Sequence, residues 1–176
     1  MKQVFINLAE GFEETEAITI IDVLRRAGLN APTVSISDSL RVTGSHQITI
    51  LADQLFSETD YSKAEMIILP GGMPGSSNLE QHAGLKEQIE KFNQQKKWIG
   101  AICAAPFILG KLGILHEHEA VCYPGYEKFL EGAKVSQAQV AVSEHLITSR
   151  GVGTALPFAL TIVEKLVSAE KVRLVS

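Results

Sequence analysis

Cys103 is the side chain best placed to do chemistry. In Gly100-Ala101-Ile102-Cys103-Ala104-Ala105-Pro106 an apolar run ends at a thiol, small residues flank it, and a proline suited to a first helical turn follows. This is the pattern of a nucleophile elbow. Unpaired N–H groups and the positive end of the following helix favour an anion, so a cysteine there is expected to ionise more readily than a free one. Position alone fits equally well a small core hydrophobe, the ordinary role of a cysteine in a reducing compartment. Cys122, within the apolar stretch EAVCYPG, reads as packing; it would serve as a resolving thiol only if it lay close to Cys103.

A thiol of this kind needs a proton partner. Glu13, Glu14 and Glu16 crowd the first turn of a helix, where acids complement the helix dipole. Glu16 shares a stripe with Ile20, Val23 and Ala27, which aims its carboxyl inward, where burial raises a carboxyl pKa. A protonated acid so placed can donate a hydrogen bond to a thiolate. Glu13 shares a comparable stripe with Ala17, Ile20 and Leu24, so helical spacing leaves both candidates open. Leu69-Pro70-Gly71-Gly72-Met73-Pro74-Gly75 follows another apolar run, and its paired glycines can bring backbone N–H groups close to an oxyanion, or can simply form a turn.

The elements that must position these residues follow from periodicity. VFINL, PTVSIS, AEMIIL and KKWIGAI read as strands, with a small hairpin from RVTG and QITIL around Ser45 and His46. Helical spacing covers Glu13 to Arg26, which Gly28 stops, and Ala83 to Phe92; AAPFILGKLGIL and a final apolar stretch, TALPFALTIVEKLVS, complete the helices. EAVCYPG and AQVAVSEHLITSRG supply further strand material. Alternation of this kind predicts an α/β fold: a mostly parallel sheet with helices on both faces and ligand sites beyond the carboxyl ends of strands.

Bulk properties narrow the function classes. A chain of 176 residues fits one domain, 1–176, able to bury a core without a disulfide or metal staple. The net charge of -4 and sixteen scattered Lys and Arg residues give no reason to expect nucleic acid as a partner. No apolar run reaches the length of a membrane span, and the opening MKQVFINLAEGFEE has neither the h-region of a signal peptide nor an arginine-rich transit pattern, so the expected location is cytoplasmic.

With these pieces in place, the chain closely resembles the ThiJ/PfpI superfamily, in the branch of the parkinsonism-associated protein deglycase and its bacterial relatives. AEGFEETEAITIIDVLRRAG, ILPGGMPGSSNL, GAICAAP and TSRGVGTALPFALTIVEKL carry the resemblance, in order and along nearly the whole chain. It implies a flavodoxin-like three-layer sandwich of the class I glutamine amidotransferase-like kind and a homodimer. It implies Cys103 as nucleophile, Glu16 rather than Glu13 as the acid bonded to it, and Gly71 and Gly72 as oxyanion donors. Ala104, Tyr123 and Asn78 would line the pocket, with His46 approaching it from the partner subunit's hairpin. Activities of the family include glyoxalase action on methylglyoxal without a cofactor, repair of glycated proteins and nucleotides, and stress sensing through a cysteine sulfinate.

Two residues depart from the family pattern. Tyr123 stands where several relatives place a histidine near the thiol, and a phenol with an ordinary pKa near 10 is a poor general base at neutral pH. His46 stands where relatives often carry an arginine. Ala104 follows the cysteine directly, where the peptidase branch usually has a histidine, which argues against a peptidase or amidase. His116 and His118 lack a third credible ligand, so no metal is expected. Two functions remain: a cofactor-independent thiol enzyme acting on small aldehydes or glycation adducts, and a non-catalytic redox sensor or holdase in which Cys103 is oxidised.

Overall fold

Short apolar runs pair into a buried parallel sheet, and amphipathic runs cover it. The computed structural model describes residues 2–176. Its strands are β1 (Val4–Leu8), β2 (Thr33–Ser35), β3 (Arg41–Thr43), β4 (Thr49–Leu51), β5 (Gln54–Leu55), β6 (Met66–Leu69), β7 (Trp98–Ile102), β8 (Glu119–Ala120), β9 (Lys134–Val135), β10 (Val140–Ser143) and β11 (Leu146–Ser149). Its α-helices are α1 (Glu14–Arg26), α2 (Gly75–Gln81), α3 (Ala83–Gln94), α4 (Pro106–Lys111), α5 (Ala155–Leu166) and α6 (Ala169–Val175).

The main sheet runs β10-β11-β7-β6-β1-β2-β5, and only the β10–β11 pairing is antiparallel. Alternation along β1 sends Val4, Ile6 and Leu8 to one face, where they pack with Ala17, Ile20 and Leu24 of α1 and Phe158 and Ile162 of α5. Phe5 points the other way, into a cluster with Ile67 and Leu69 of β6, Leu85 and Ile89 of α3 and Ile108 of α4. A sheet covered on both faces in this way is the flavodoxin-like three-layer α/β sandwich. The strand order reverses between β1 and β6, since β1 leads to β2 on one side while β6 and β7 continue on the other, and the crevice at such a reversal is where ligands bind in open α/β sheets.

Several elements differ from expectation. The helix after Cys103 is only Pro106–Lys111: Gly110 sits against the Phe129 carbonyl, and Gly113, at φ +71, turns the chain away. EAVCYPG yields just the two residues of β8, paired with β9 outside the main sheet, because the next amide, Val121, donates to the Thr148 hydroxyl instead of a strand. The final apolar stretch forms α5, and a separate helix beyond it, α6, is capped by the Ser168 side chain accepting from the Lys171 N–H. An extra helix, α2, forms directly after the glycine loop, although Gly75, Ser76, Ser77 and Asn78 have low helix propensity.

Candidate active site

The ends of β1, β6 and β7 bring the site together. Where β7 stops, Cys103 adopts φ +64, a left-handed conformation uncommon for a non-glycine residue and costing about 1 kcal/mol or more. The turn is held on both sides: the Cys103 N–H donates to the Ser149 carbonyl at 2.9 Å, and its carbonyl accepts from the Tyr123 N–H at 2.7 Å. The side chain is half-buried at the foot of α4, with Pro106 in that helix's first turn.

The Glu16 side chain, in the first turn of α1, is completely buried. Its Oε2 accepts the Gly71 N–H at 2.9 Å, Oε1 has no N–H or O–H partner, and the carboxyl interacts with the Cys103 thiol. Glu13 faces elsewhere. Its side chain caps α1 by accepting from the Thr15 N–H, and its second oxygen lies 3.4 Å from both Ser45 Oγ and His46 Nδ1. Glu13 and Glu16 thus share one helical turn and serve two different loops.

Gly71 works through its backbone and its missing side chain. While its N–H serves Glu16, its carbonyl accepts the Glu13 N–H at 2.8 Å, tying the glycine loop to the start of α1. A Cβ at this position would lie 2.5 Å from Cys103 Cβ and 3.1 Å from Sγ. The amide N–H of Gly71 is therefore already taken, whereas both glycines were expected to face an oxyanion. The amides that reach the sulfur are those of Gly72, at φ +93, and Ala104.

Electrostatics couple the acid and the thiol. Burial pushes the Glu16 carboxyl up to about 7, against the lowering effect of its bonds with Cys103 and the Gly71 N–H, while the charge on Glu13 adds to the rise. Burial, then the Glu16 charge and the Glu16 hydrogen bond, push the thiol up to about 12, opposed by the Ala104 and Gly72 N–H groups. The helix end does not by itself make this cysteine acidic, as the sequence suggested; α4 is short, and burial beside a carboxylate outweighs it. When Glu16 holds the proton its repulsion vanishes, and the two amides act on the sulfur unopposed by a neighbouring charge. The pair therefore handles one proton between them. Cys122 is buried and pushed up to about 11 by burial first and the Glu127 charge second, against the Arg150 charge.

The remaining site candidates are distributed around this centre. Ala104 is buried beside the sulfur, and the Tyr123 ring is half exposed at the rim. Gly151 lies between them: a Cβ there would be 3.2 Å from Tyr123 Cδ2 and 3.8 Å from Cys103 Sγ. Sequence reasoning did not single out Gly151 or Ser149, although both belong to the TSRG stretch. Asn78 spends its amide on the Glu10 carbonyl at 2.8 Å, fastening α2 to the loop after β1. His46 is exposed in the β3–β4 turn, its Nδ1 3.0 Å from Glu14 Oε2. That hydrogen bond, with the charges of Glu13 and Glu14, raises the His46 pKa.

Glu14 is buried and anchors the hairpin by accepting the His46 N–H at 2.7 Å and the Ile48 N–H at 3.3 Å. Burial alone would raise its pKa, but hydrogen bonds from its own backbone N–H, the His46 ring and the His46 and Ile48 N–H groups together outweigh burial and hold the carboxyl below its usual range. Ligand atoms of Glu13, Glu14 and His46 lie within 4.8 Å of one another, and these are already spent on hydrogen bonds that close the turn. His118 bonds the Ser143 hydroxyl at 2.9 Å, and His116 is exposed.

Fold and site together define a flavodoxin-like α/β protein that sets a buried acid against a cysteine at a strand-to-helix elbow. The chain belongs to the DJ-1/PfpI family, which it matches over residues 2–165. It is 37% identical over 172 residues to "Protein DJ-1 homolog B" of Arabidopsis thaliana, covering 97% of this chain but 39% of that protein. The chain thus spans well under half of that relative. It is 36% identical over 163 residues to "Glutathione-independent glyoxalase DJR-1.2" of Caenorhabditis elegans, covering 92% of this chain and 87% of the relative. Among solved structures, "Toxoplasma gondii DJ-1, oxidized" superimposes with a TM-score of 0.95 at 34% identity, covering 99% of this chain and 96% of that one. Among the described residues, no helix is long and apolar enough to cross a membrane.

Proposed function

We propose that this protein is a cysteine-dependent, cofactor-independent enzyme that converts small α-oxoaldehydes such as methylglyoxal to 2-hydroxy acids, with glycation adducts of the same aldehydes as related substrates. The observation that carries this reading is the fully buried Glu16 carboxyl set against Cys103 with a pKa near neutrality, where a general acid–base is most effective. A glyoxalase-named relative adds support.

The chemistry balances without an outside oxidant. Proton transfer from the thiol to Glu16 gives the thiolate, which adds to the aldehyde carbon, and the Gly72 and Ala104 N–H groups stabilise the developing negative charge. Glu16 returns its proton to the oxygen, forming a hemithioacetal. It then takes the proton from the former aldehyde carbon to give an enediolate and delivers it to the neighbouring carbon, while the hydroxyl proton of the first carbon passes to the oxygen of the second. One carbon is oxidised and the other reduced, leaving a thioester that water cleaves to lactate and free thiol. Tyr123 at the rim orients substrate through its phenol rather than acting as base.

A homodimer in the cytoplasm, built from a single domain, completes the proposal. Ile18 of α1 and Ile48 and Leu51 of the hairpin that carries His46 are large apolar side chains left 45%, 56% and 69% exposed, a surface that a second copy would cover. Neither nucleic acid nor membrane is a proposed partner. Lactate formation from methylglyoxal by purified protein tests the reading, with Cys103→Ser and Glu16→Gln as controls; lactate no higher than in Cys103→Ser ends it.

One observation favours a second reading, a redox sensor. The Toxoplasma gondii structure is described as oxidized. Peroxide would take the Cys103 thiolate through sulfenic to sulfinic acid, whose oxygens suit the Gly72 and Ala104 N–H groups and a protonated Glu16. Intact-mass titration with peroxide tests it, and oxidation of Cys103 no faster than that of Cys122 removes it.

A further inference from the structure

We propose that a second cleft, beside the Cys103 turn, binds the tail of the substrate, and that this tail is an aryl or apolar group bearing a carboxylate. The inference rests on the aldehyde-converting reading and specifies its substrate class. The cleft holds about 420 Å³, within the range of small-molecule sites and far more than a three-carbon aldehyde fills.

Its walls are the chain segments that lead away from the site. Phe107 lies one turn past Cys103, its N–H bonded to the Ala104 carbonyl; the Tyr126 N–H bonds the Tyr123 carbonyl; and Met73 directly follows Gly71 and Gly72. The segments that carry Cys103, Tyr123 and the glycine pair thus continue into the cleft wall, and a tail running from the sulfur along them would enter the cleft.

The lining chooses the tail. Phe107, Tyr126 and Phe129 form an aromatic floor, with ring centroids 5.8 to 6.3 Å apart, and Met73 stands 45% exposed at the edge. Two ammonium groups overhang that floor: Lys111 Nζ lies 5.2 Å from the Phe107 centroid and Lys128 Nζ 5.0 Å from that of Phe129. No carboxylate is among the lining residues, and the nearby Glu127 carboxylate is spent on the Gly125 N–H at 2.7 Å. Lys111 has an exposed contact with Glu80 at 3.7 Å, and among the described residues no acid pairs with Lys128. Aromatic rings below and positive charge above, that of Lys128 without an acid partner among the described residues, suit a flat apolar anion; a neutral tail would leave Lys128 unused, and a cationic one would be repelled.

The test compares kcat/KM for 4-carboxyphenylglyoxal and phenylglyoxal. The carboxylated substrate is expected to be favoured, and its advantage to fall about three- to five-fold in Lys128→Met, the size of a partly exposed ion pair. An unchanged ratio overturns the proposal, and because the ratio is internal, a general loss of activity does not mimic the effect. Binding is read separately by titrating 4-carboxymandelate into Cys103→Ser protein and following ring-proton resonances of Tyr126 and Phe129. Shifts at both rings support the cleft, and their absence overturns it. This arm needs no turnover, so a protein that converts neither aldehyde would defeat the catalytic reading while the titration still decides the cleft.

Discussion

Glu16 and Cys103 meet across the α-carbon of Gly71, where a Cβ would stand 2.6 Å from Glu16 Oε2 and 3.1 Å from Cys103 Sγ. The acid and the thiol are thus packed against the same small patch of backbone, whose N–H fixes the acid at 2.9 Å. Five expectations follow from this contact and from the hairpin beside it.

Gly71→Ala would drive a methyl group between the two side chains, with little room to yield because Glu16 is wholly buried. Lactate formation should fall at least about 100-fold, as expected when reacting groups are displaced by an ångström. The far-ultraviolet circular dichroism should be retained. Near-wild-type turnover would show that the pair is not the catalytic unit.

Alkylation of Cys103 by iodoacetamide should carry a step near pH 7 in the wild type, because Glu16, with its pKa raised to about 7, governs how the shared proton is held. In Glu16→Gln that step should disappear, leaving only the rise of the thiol itself at higher pH. Superimposable profiles for the two proteins would refute the coupling.

Stability should depend on the same carboxyl. A folded-state pKa of about 7 against an ordinary 4.5 means that the folded protein binds the proton more tightly, so the stabilisation is full below about pH 4.5 and is lost as pH rises through 7. Glu16→Gln keeps the shape and removes the buried charge. Its melting temperature should therefore gain on the wild type by several degrees between pH 5 and pH 8, reflecting roughly 1–3 kcal/mol. A constant difference across that range would contradict the assignment.

At the hairpin, Glu14→Ala would strand the His46 and Ile48 N–H groups that now share one buried carboxylate oxygen. A loss of about 2–3 kcal/mol is expected, with hydrogen exchange accelerated at the His46 and Ile48 amides before the rest of the chain. Leu51→Glu, on the exposed apolar side of the same hairpin, should convert the proposed dimer to monomer in sedimentation velocity at micromolar concentration.

Much of the architecture was legible because strand and helix periods are local. β1, β6 and β7 read as unbroken apolar runs since both their faces are buried, and α1 and α3 announced themselves through inward stripes such as Ile20–Leu24 and Leu85–Ile89. The errors fell where distant partners decide local structure. α4 stops early because its Gly110 packs on the Phe129 carbonyl, and β8 stays short because the Val121 amide is claimed by Thr148.

By itself the sequence determined which residue types stood at which strand ends: a thiol after β7, paired glycines after β6 and acids after β1. Side-chain stripes left Glu13 and Glu16 equivalent, since both lie on inward-leaning arcs of one helix. The family resemblance pointed to Glu16, and the tertiary structure supplied the physical reason, placing Gly71 and Cys103 over one and the Ser45–His46 turn over the other. The tertiary structure also decided which amides remain available to an anion and how the thiol ionises. Those properties depend on desolvation and on charges a few ångströms away in space, contributed by residues far apart along the chain.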